Sequence, residues 1–273
     1  MSTLSIGVLT GLGNEPEAAF AGIRDFGLGA CQLVGWQPES VTREMAEAHR
    51  AAAAAAGVTI TLFWCGYSGP VEWNYQQGPA TIGLVPPSTR ALRTRELKRG
   101  AEIAGWLGIT DMATHVGFLP LNPRDPDYIG AVDALKEIAD YAGERGVYFN
   151  FETGQETPMV LLRCITDIGT KNLGINLDPA NLLLYGNGNP VDALDIFGRF
   201  VRGVHAKDGE YPTDGYYLGE EKPLGEGRVN FPALVGKLKA LGYTGSLTIE
   251  REISGPQQAV DIRRAIELLT PLL

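Results

Sequence analysis

Four short segments of the chain each end in a side chain able to bind a cation: Phe149-Asn150-Phe151-Glu152, Ile175-Asn176-Leu177-Asp178, Gly203-Val204-His205 and Leu247-Thr248-Ile249-Glu250. Three carboxylates gathered at one place repel one another by about 3 kcal/mol per pair at roughly 5 Å and an effective dielectric near 20. A divalent ion removes that repulsion. Three carboxylates with one imidazole suit Mn²⁺, Mg²⁺ or Co²⁺ better than a structural zinc, with Mn²⁺ the leading choice. The same groups could do proton chemistry, since removing a proton α to a carbonyl requires a base and a fixed positive charge near the developing enediolate oxygen.

The elements that carry these residues read as consecutive β-strands. Side chains alternate across a strand, so Phe149, Phe151, Ile175, Leu177, Leu247 and Ile249 point towards covering helices, while Asn150, Glu152, Asn176, Asp178, Thr248 and Glu250 point the other way. That second face is polar in three strands, whereas the interior of a closed barrel is ordinarily filled by branched apolar side chains. Strand-like and helix-like patterns alternate along the chain. Strands are expected at Leu4 to Leu9, Ala30 to Val34, Val58 to Trp64, Asp111 to Val116, Val147 to Thr153, Leu173 to Asp178, Val201 to Ala206 and Ser246 to Arg251. Helices are expected at Pro16 to Phe26, Val41 to Ala56, Ser88 to Leu107, Asp127 to Arg145, Pro158 to Ile168, Pro190 to Phe197, Phe231 to Leu241 and Gln257 to Leu269. Six expected helices stop at a glycine before the next strand: Gly27, Gly57, Gly108, Gly146, Gly169 and Gly242. The fold class is therefore α/β, one (β/α)8 TIM barrel over residues 1–273 with its active site at the C-terminal rim.

Composition agrees with one large soluble domain. The 273 residues are 44% hydrophobic and 20% charged, near the globular average, which argues against disordered and fibrous classes. A net charge of −9, from 23 basic and 32 acidic residues, opposes a surface built for nucleic acid. Cys31, Cys65 and Cys164 are isolated, so they read as buried thiols in a reducing compartment. The segment Met1 to Leu9 lacks the basic start and apolar stretch of a signal peptide, and no run approaches the roughly 18 apolar residues of a membrane span. The expected location is cytoplasmic, with no membrane partner.

The order Glu152, Asp178, His205, Glu250 on strands five to eight resembles the xylose-isomerase-like barrels, in particular their sugar isomerase and ketose 3-epimerase branch. Phe151-Glu-Thr-Gly-Gln-Glu156, Asn176-Leu-Asp-Pro-Ala-Asn181, Val204-His-Ala-Lys-Asp208 and Thr248-Ile-Glu-Arg-Glu252 look like that family's strand ends. The resemblance implies that Glu152, Asp178, His205 and Glu250 coordinate a divalent metal. It also implies that Glu152 and Glu250 are the catalytic pair, facing opposite sides of a sugar so that a proton leaves one face and returns to the other. Relatives of this kind are commonly dimers or tetramers, so a homo-oligomer is implied too. The chain departs from the epimerases at two places: Asn181 stands where they usually carry a histidine, and Tyr211 near the place of an arginine.

Other residues at the expected rim are candidates for holding the sugar. His115 ends strand four and reads either as a satisfied core group or as a substrate hydrogen-bonding group or proton relay. Trp64 reads either as core or as an apolar wall against the ring. Glu156, Asn181 and Lys207 could contact substrate hydroxyls or an oxyanion. The stretch Cys65 to Pro87 reads as a substrate lid, Lys207 to Asn230 as a second rim loop, and His49 as a surface residue. Gly11-Leu-Gly-Asn-Glu-Pro16 lacks the third glycine of a dinucleotide fingerprint, and no nucleotide cofactor is expected.

The leading reading is a metal-dependent sugar isomerase or epimerase. A metal-dependent 3-keto-glycoside lyase or dehydratase shares the first proton abstraction and is the alternative. An abasic-site endonuclease on the same barrel would need many histidines, and the chain has three. A catalytically inactive sugar-binding barrel is the remote alternative, and failure to bind any divalent metal would favour it.

Overall fold

The computed structural model describes residues 4–273; Met1 to Thr3, the start of the stretch inspected for a leader, lie outside the described residues. Seven parallel strands come first: β1 (Ser5–Gly11), β2 (Ala30–Gly35), β3 (Thr59–Cys65), β4 (Asp111–Thr114), β5 (Tyr148–Glu152), β6 (Leu173–Leu177) and β7 (Val201–Ala206). After a small antiparallel hairpin of β8 (Asp208–Gly209) and β9 (Glu221–Lys222), strand β10 (Ser246–Ile249) pairs with both β7 and β1 and closes an eight-stranded barrel. The covering helices are α1 (Pro16–Asp25), α2 (Arg43–Ala56), α4 (Pro87–Leu107), α5 (Pro126–Gly143), α6 (Pro158–Ile168), α8 (Pro190–Phe197), α9 (Phe231–Ala240) and α10 (Pro256–Leu269), with two short ones, α3 (Gly78–Thr81) and α7 (Pro179–Leu184), in the connections.

The six glycines that end helices in the sequence reading take φ between 65° and 80°, which stops a helix where a β-carbon would be strained. Several elements differ from expectation. Strands β4, β6 and β10 stop short, so His115, Asp178 and Glu250 lie just past strand ends. Helix α7 was not foreseen: Asp178 caps it by accepting the Asn181 N–H at 2.9 Å, and six residues are too few to show a period. His49 is not at the surface. It is buried on the face of α2 that packs against α1, its Nδ1 2.8 Å from the Met45 carbonyl and its ring edge-on to Phe20.

Side-chain parity follows the sequence reading. Phe149, Phe151, Ile175 and Leu177 are buried against the helices, each contributing about 1.5–3 kcal/mol of apolar burial. The barrel interior is divided: Val34, Leu62, Trp64 and Ala113 form an apolar cluster on β2 to β4, while Asn150, Asn176, His205 and Thr248 fill the opposite half. Polar amides fit there because their neighbours have no side chain. A β-carbon at Gly174 would stand 2.1 Å from Asn150 Oδ1, and one at Gly203 2.2 Å from Asn176 Oδ1.

The two long connections are ordered by buried charges. The fully buried guanidinium of Arg93 on α4 donates to the carbonyls of Ser68, Pro70, Thr81 and Gly83 and lies over the Tyr67 ring, pinning the loop after β3 to the helix layer. The Asp208 carboxylate accepts backbone N–H groups from Gly209, Gly225, Gly227 and Val229, which gathers the loop after β7. The loops meet where Gln76 donates to the Tyr216 carbonyl at 2.6 Å. Cys31, Cys65 and Cys164 are free and buried, and burial pushes the Cys31 thiol up to about 12. Among the described residues, no helix is long and apolar enough to cross a membrane.

Candidate metal centre and sugar pocket

Strands β5, β6, β7 and β10 deliver Glu152, Asp178, His205 and Glu250 to one point at the C-terminal rim. One donor atom from each lies within 4.8 Å of the others. His205 Nδ1 is the hub, 2.8 Å from Glu250 Oε2, 3.2 Å from Glu152 Oε1 and 3.8 Å from Asp178 Oδ2. His205 Nδ1, Asp178 Oδ2 and Glu250 Oε2 are buried and, beyond their approaches to one another and to the Lys207 ammonium, have no hydrogen-bond partner. Buried polar atoms are ordinarily partnered; here the unpartnered ones converge, and they are hard oxygen donors plus one imidazole nitrogen. The residues fit a divalent cation.

What orients the imidazole was not foreseen from the sequence. Gln32, on β2, is buried with its Oε1 2.8 Å from His205 Nε2, and its amide donates to Asn176 Oδ1 at 3.0 Å. Asn176 in turn donates to Glu152 Oε2 at 3.0 Å. Nε2 faces the Gln32 carbonyl oxygen and also lies 3.0 Å from the Asn176 amide nitrogen, and this pair of amides turns the Nδ1 edge of the ring towards the carboxylates. The signal was a polar residue inside the apolar strand Cys31-Gln-Leu-Val34, in the inward register.

Charge in the cluster is strongly coupled. Burial opposes the charged form of His205, but Glu152 and Glu250 hold its proton well above the usual histidine range. Burial likewise opposes ionisation of Asp178 and Glu152. Lys207 and His205 nevertheless carry Asp178 well below the carboxylate range, and His205 and His115 carry Glu152 below it. Glu250 lies above that range, because burial outweighs Lys207 and His205. Lys207 is enclosed behind the cluster, its Nζ 3.5 Å from both Asp178 Oδ2 and Glu250 Oε2 and 3.1 Å from Glu252 Oε2. Three carboxylates, a divalent cation and the Lys207 ammonium sum to zero charge.

Glu152 and Glu250 line a cavity of about 710 Å³, while Asp178 and His205 stand behind them and do not line it. Of the candidates, Glu152, Glu250, His115, Trp64 and Asn181 line it. His115 Nε2 is 3.5 Å from Glu152 Oε1, and burial lowers its affinity for a proton. Its ring stands edge-on between Trp64 at 6.0 Å and Trp73 at 5.1 Å, and Trp36 packs on Trp64 at 4.8 Å. Glu156 is not in the cavity wall: four residues past β5 the chain has turned inward, and the carboxyl is buried with neither oxygen partnered. Lys207 reaches Asn181 Oδ1 at 3.4 Å but does not line the cavity. Trp36, Gln155 and Tyr185 do line it and were not singled out from the sequence.

Comparison with known proteins places this geometry. A family model described as xylose isomerase-like TIM barrel matches residues 20–272. The crystal structure of a xylose isomerase domain protein from Planctomyces limnophilus is 39% identical with a TM-score of 0.91, covering 99% of this chain and 97% of that one. A D-tagatose 3-epimerase-like protein is 22% identical with a TM-score of 0.74 over 98% of this chain and 97% of its own, a likeness of fold. An uncharacterized protein of Methanocaldococcus jannaschii is 30% identical over 154 residues, 52% of this chain, and the match spans half of that protein's length. With a family match over nearly the whole barrel, the chain belongs to the xylose isomerase-like TIM barrel family.

Proposed function

We propose that the protein is a divalent-metal-dependent sugar isomerase or epimerase that works by proton transfer beside a carbonyl. The observation that carries this reading is the convergence of four donor atoms, three of them buried with no hydrogen-bond partner outside the cluster, beside a cavity of about 710 Å³ that Glu152 and Glu250 line. A cation held by Glu152, Asp178, His205 and Glu250, most simply Mn²⁺ with Mg²⁺ or Co²⁺ as substitutes, supplies Lewis-acid polarisation of adjacent substrate oxygens. The chain's own groups do the rest. Glu152 Oε1 and Glu250 Oε2 reach the same point from strands separated by two others, so a sugar seated between them meets one carboxylate on each side. Their unlike environments suit unlike roles, the more readily ionised Glu152 removing the proton and Glu250 returning one. His115 and Asn181 offer hydrogen bonds to hydroxyls, Trp64 and Trp73 exclude water from one side, and Lys207 sets the charge balance behind the cluster.

A second reading is supported by Asn181, which leaves the place of an epimerase histidine without a titratable group, and by a cavity larger than a monosaccharide needs. In it, proton removal beside the ketone of a 3-keto-glycoside is followed by loss of the anomeric substituent, and the protein is a lyase. Both readings are tested by incubating Mn²⁺-loaded protein in D₂O with ketoses, aldoses and 3-keto-glycosides, following exchange by NMR. A new stereoisomer or isomer supports the first and a released aglycone the second. Unreduced exchange in both Glu152→Gln and Glu250→Gln would remove the assigned roles.

A further inference from the structure

The cavity does not end at the sugar-sized mouth. It continues over the rim between β1 and β10 into a cleft between helices α1 and α10, walled by Ala19, Gly22 and Ile23 on one side and Ala259 and Ile262 on the other, with Val8 on its floor. Ile249 lines this cleft and Glu250, its neighbour in the chain, faces the metal cluster, so the two spaces share one strand end. From Ala18 to Phe26 the cleft follows α1 for about 12 Å at 1.5 Å per residue. At its far end the Arg263 guanidinium lies 4.9 Å from the centroid of the Phe26 ring. Among the described residues, none of the walls below the rim carries a charge. A β-carbon built on Gly22 meets nothing within 4 Å, so the cleft is open along the helix face.

We propose that this cleft is a subsite for an apolar substituent on the sugar, an aryl or alkyl aglycone, so that the substrate class is a glycoside rather than a free ketose or aldose. The proposal rests on the proton-transfer reading of the metal site and deepens it. Its occupant is indicated by continuity: one end of the cleft opens beside the metal cluster, where a sugar ring would sit, and a group leaving that ring over Gly11 and Gly255 passes Arg251, Glu252 and Gln258 at the rim into a cleft walled by Ala19, Gly22, Ile23, Ala259 and Ile262. In a glycoside the anomeric carbon is an acetal and bears no carbonyl. Proton transfer therefore needs a ketone at another ring carbon, and the reaction that supplies this substrate is an oxidation of a ring hydroxyl by a separate dehydrogenase.

The test compares methyl and phenyl 3-keto-β-D-glucopyranosides in D₂O with the Mn²⁺-loaded protein, alongside calorimetric binding of methyl and phenyl β-D-glucopyranoside, which lack the ketone and cannot react. The wild type should prefer the phenyl compounds by roughly tenfold or more in kcat/KM and in Kd. Gly22→Leu fills the cleft with a better helix former and should bring that ratio close to one; Ala19→Leu provides the same block from the next turn if Gly22→Leu misfolds. Phenyl glucoside binding no tighter than methyl overturns the proposal whatever the exchange assay shows. Binding that favours phenyl and is lost in Gly22→Leu, with no exchange on any ketone, supports the subsite and refutes the proton-transfer reading instead. A change of oligomeric state in Gly22→Leu with the substrate preference intact would make the cleft a subunit interface and overturn the proposal.

Discussion

Replacing Gln32 by Leu should weaken metal binding although Gln32 is not a ligand. The Gln32 side chain accepts from His205 Nε2 at 2.8 Å and donates to Asn176 Oδ1 at 3.0 Å, and all three groups are buried. Leucine leaves an imidazole N–H and an amide oxygen unpaired, at about 1–3 kcal/mol each, so the metal-free protein should lose about 2–6 kcal/mol of stability. The ring also loses the acceptor that selects its tautomer, and Asn176 loses the donor that holds it against Glu152. Supporting groups of this kind are worth about 10–100-fold in metal affinity. Titration calorimetry with Mn²⁺ at fixed pH gives Kd, and thermal melts give stability on the same samples. Gln32→Glu keeps an acceptor for His205 Nε2–H and should retain Mn²⁺ affinity better than Gln32→Leu, which separates orientation of the ligand from simple packing. A Gln32→Leu protein that binds Mn²⁺ within twofold of wild type would refute the reasoning.

Three further outcomes follow from the buried charges. Arg93→Met removes a guanidinium that satisfies four loop carbonyls; it should lower stability by at least about 3 kcal/mol, and wild-type protease resistance of the loop after β3 would contradict this. Glu156 is buried and its carboxyl is pushed up to about 8 from an ordinary 4.5, so the folded state binds the extra proton and stability falls as pH rises between those values. The linkage reaches about 4 kcal/mol by pH 8, and Glu156→Gln should flatten the pH dependence of Tm and exceed the wild type above pH 7; parallel profiles would contradict the assignment. Because His205 holds a proton well above its usual range in the metal-free cluster, Mn²⁺ binding should release protons and tighten as pH rises, an outcome read by calorimetry in buffers of different ionisation enthalpy.

Much of the barrel was legible because period-2 and helical patterns alternate and glycines mark the helix ends. The cluster was legible for a related reason: parity puts Glu152, Asp178 and Glu250 on the same face as Asn150, Asn176 and Thr248, and polar residues on an inward face need a purpose. Tertiary neighbours were less visible. His49 sits in an alanine-rich helix whose sequence does not show which face meets α1. Lys207 shares the phase of His205, yet its ammonium is drawn behind the carboxylates by three ion pairs instead of into the cavity. Helix α7 depends on the capping carboxylate of Asp178, a residue whose sequence context already accounted for it as a ligand. The α1–α10 cleft arises from two helices 231 positions apart, from the end of α1 at Asp25 to the start of α10 at Pro256, and no local pattern encodes such a gap.

The most direct test of the account is anomalous diffraction at the manganese edge from crystals grown with Mn²⁺. A single peak at the C-terminal rim of the barrel, within bonding distance of Glu152, Asp178, His205 Nδ1 and Glu250, is the expected result. A peak elsewhere, coordination through His205 Nε2, or no peak at saturating Mn²⁺ would contradict the claim that these four residues form one metal centre.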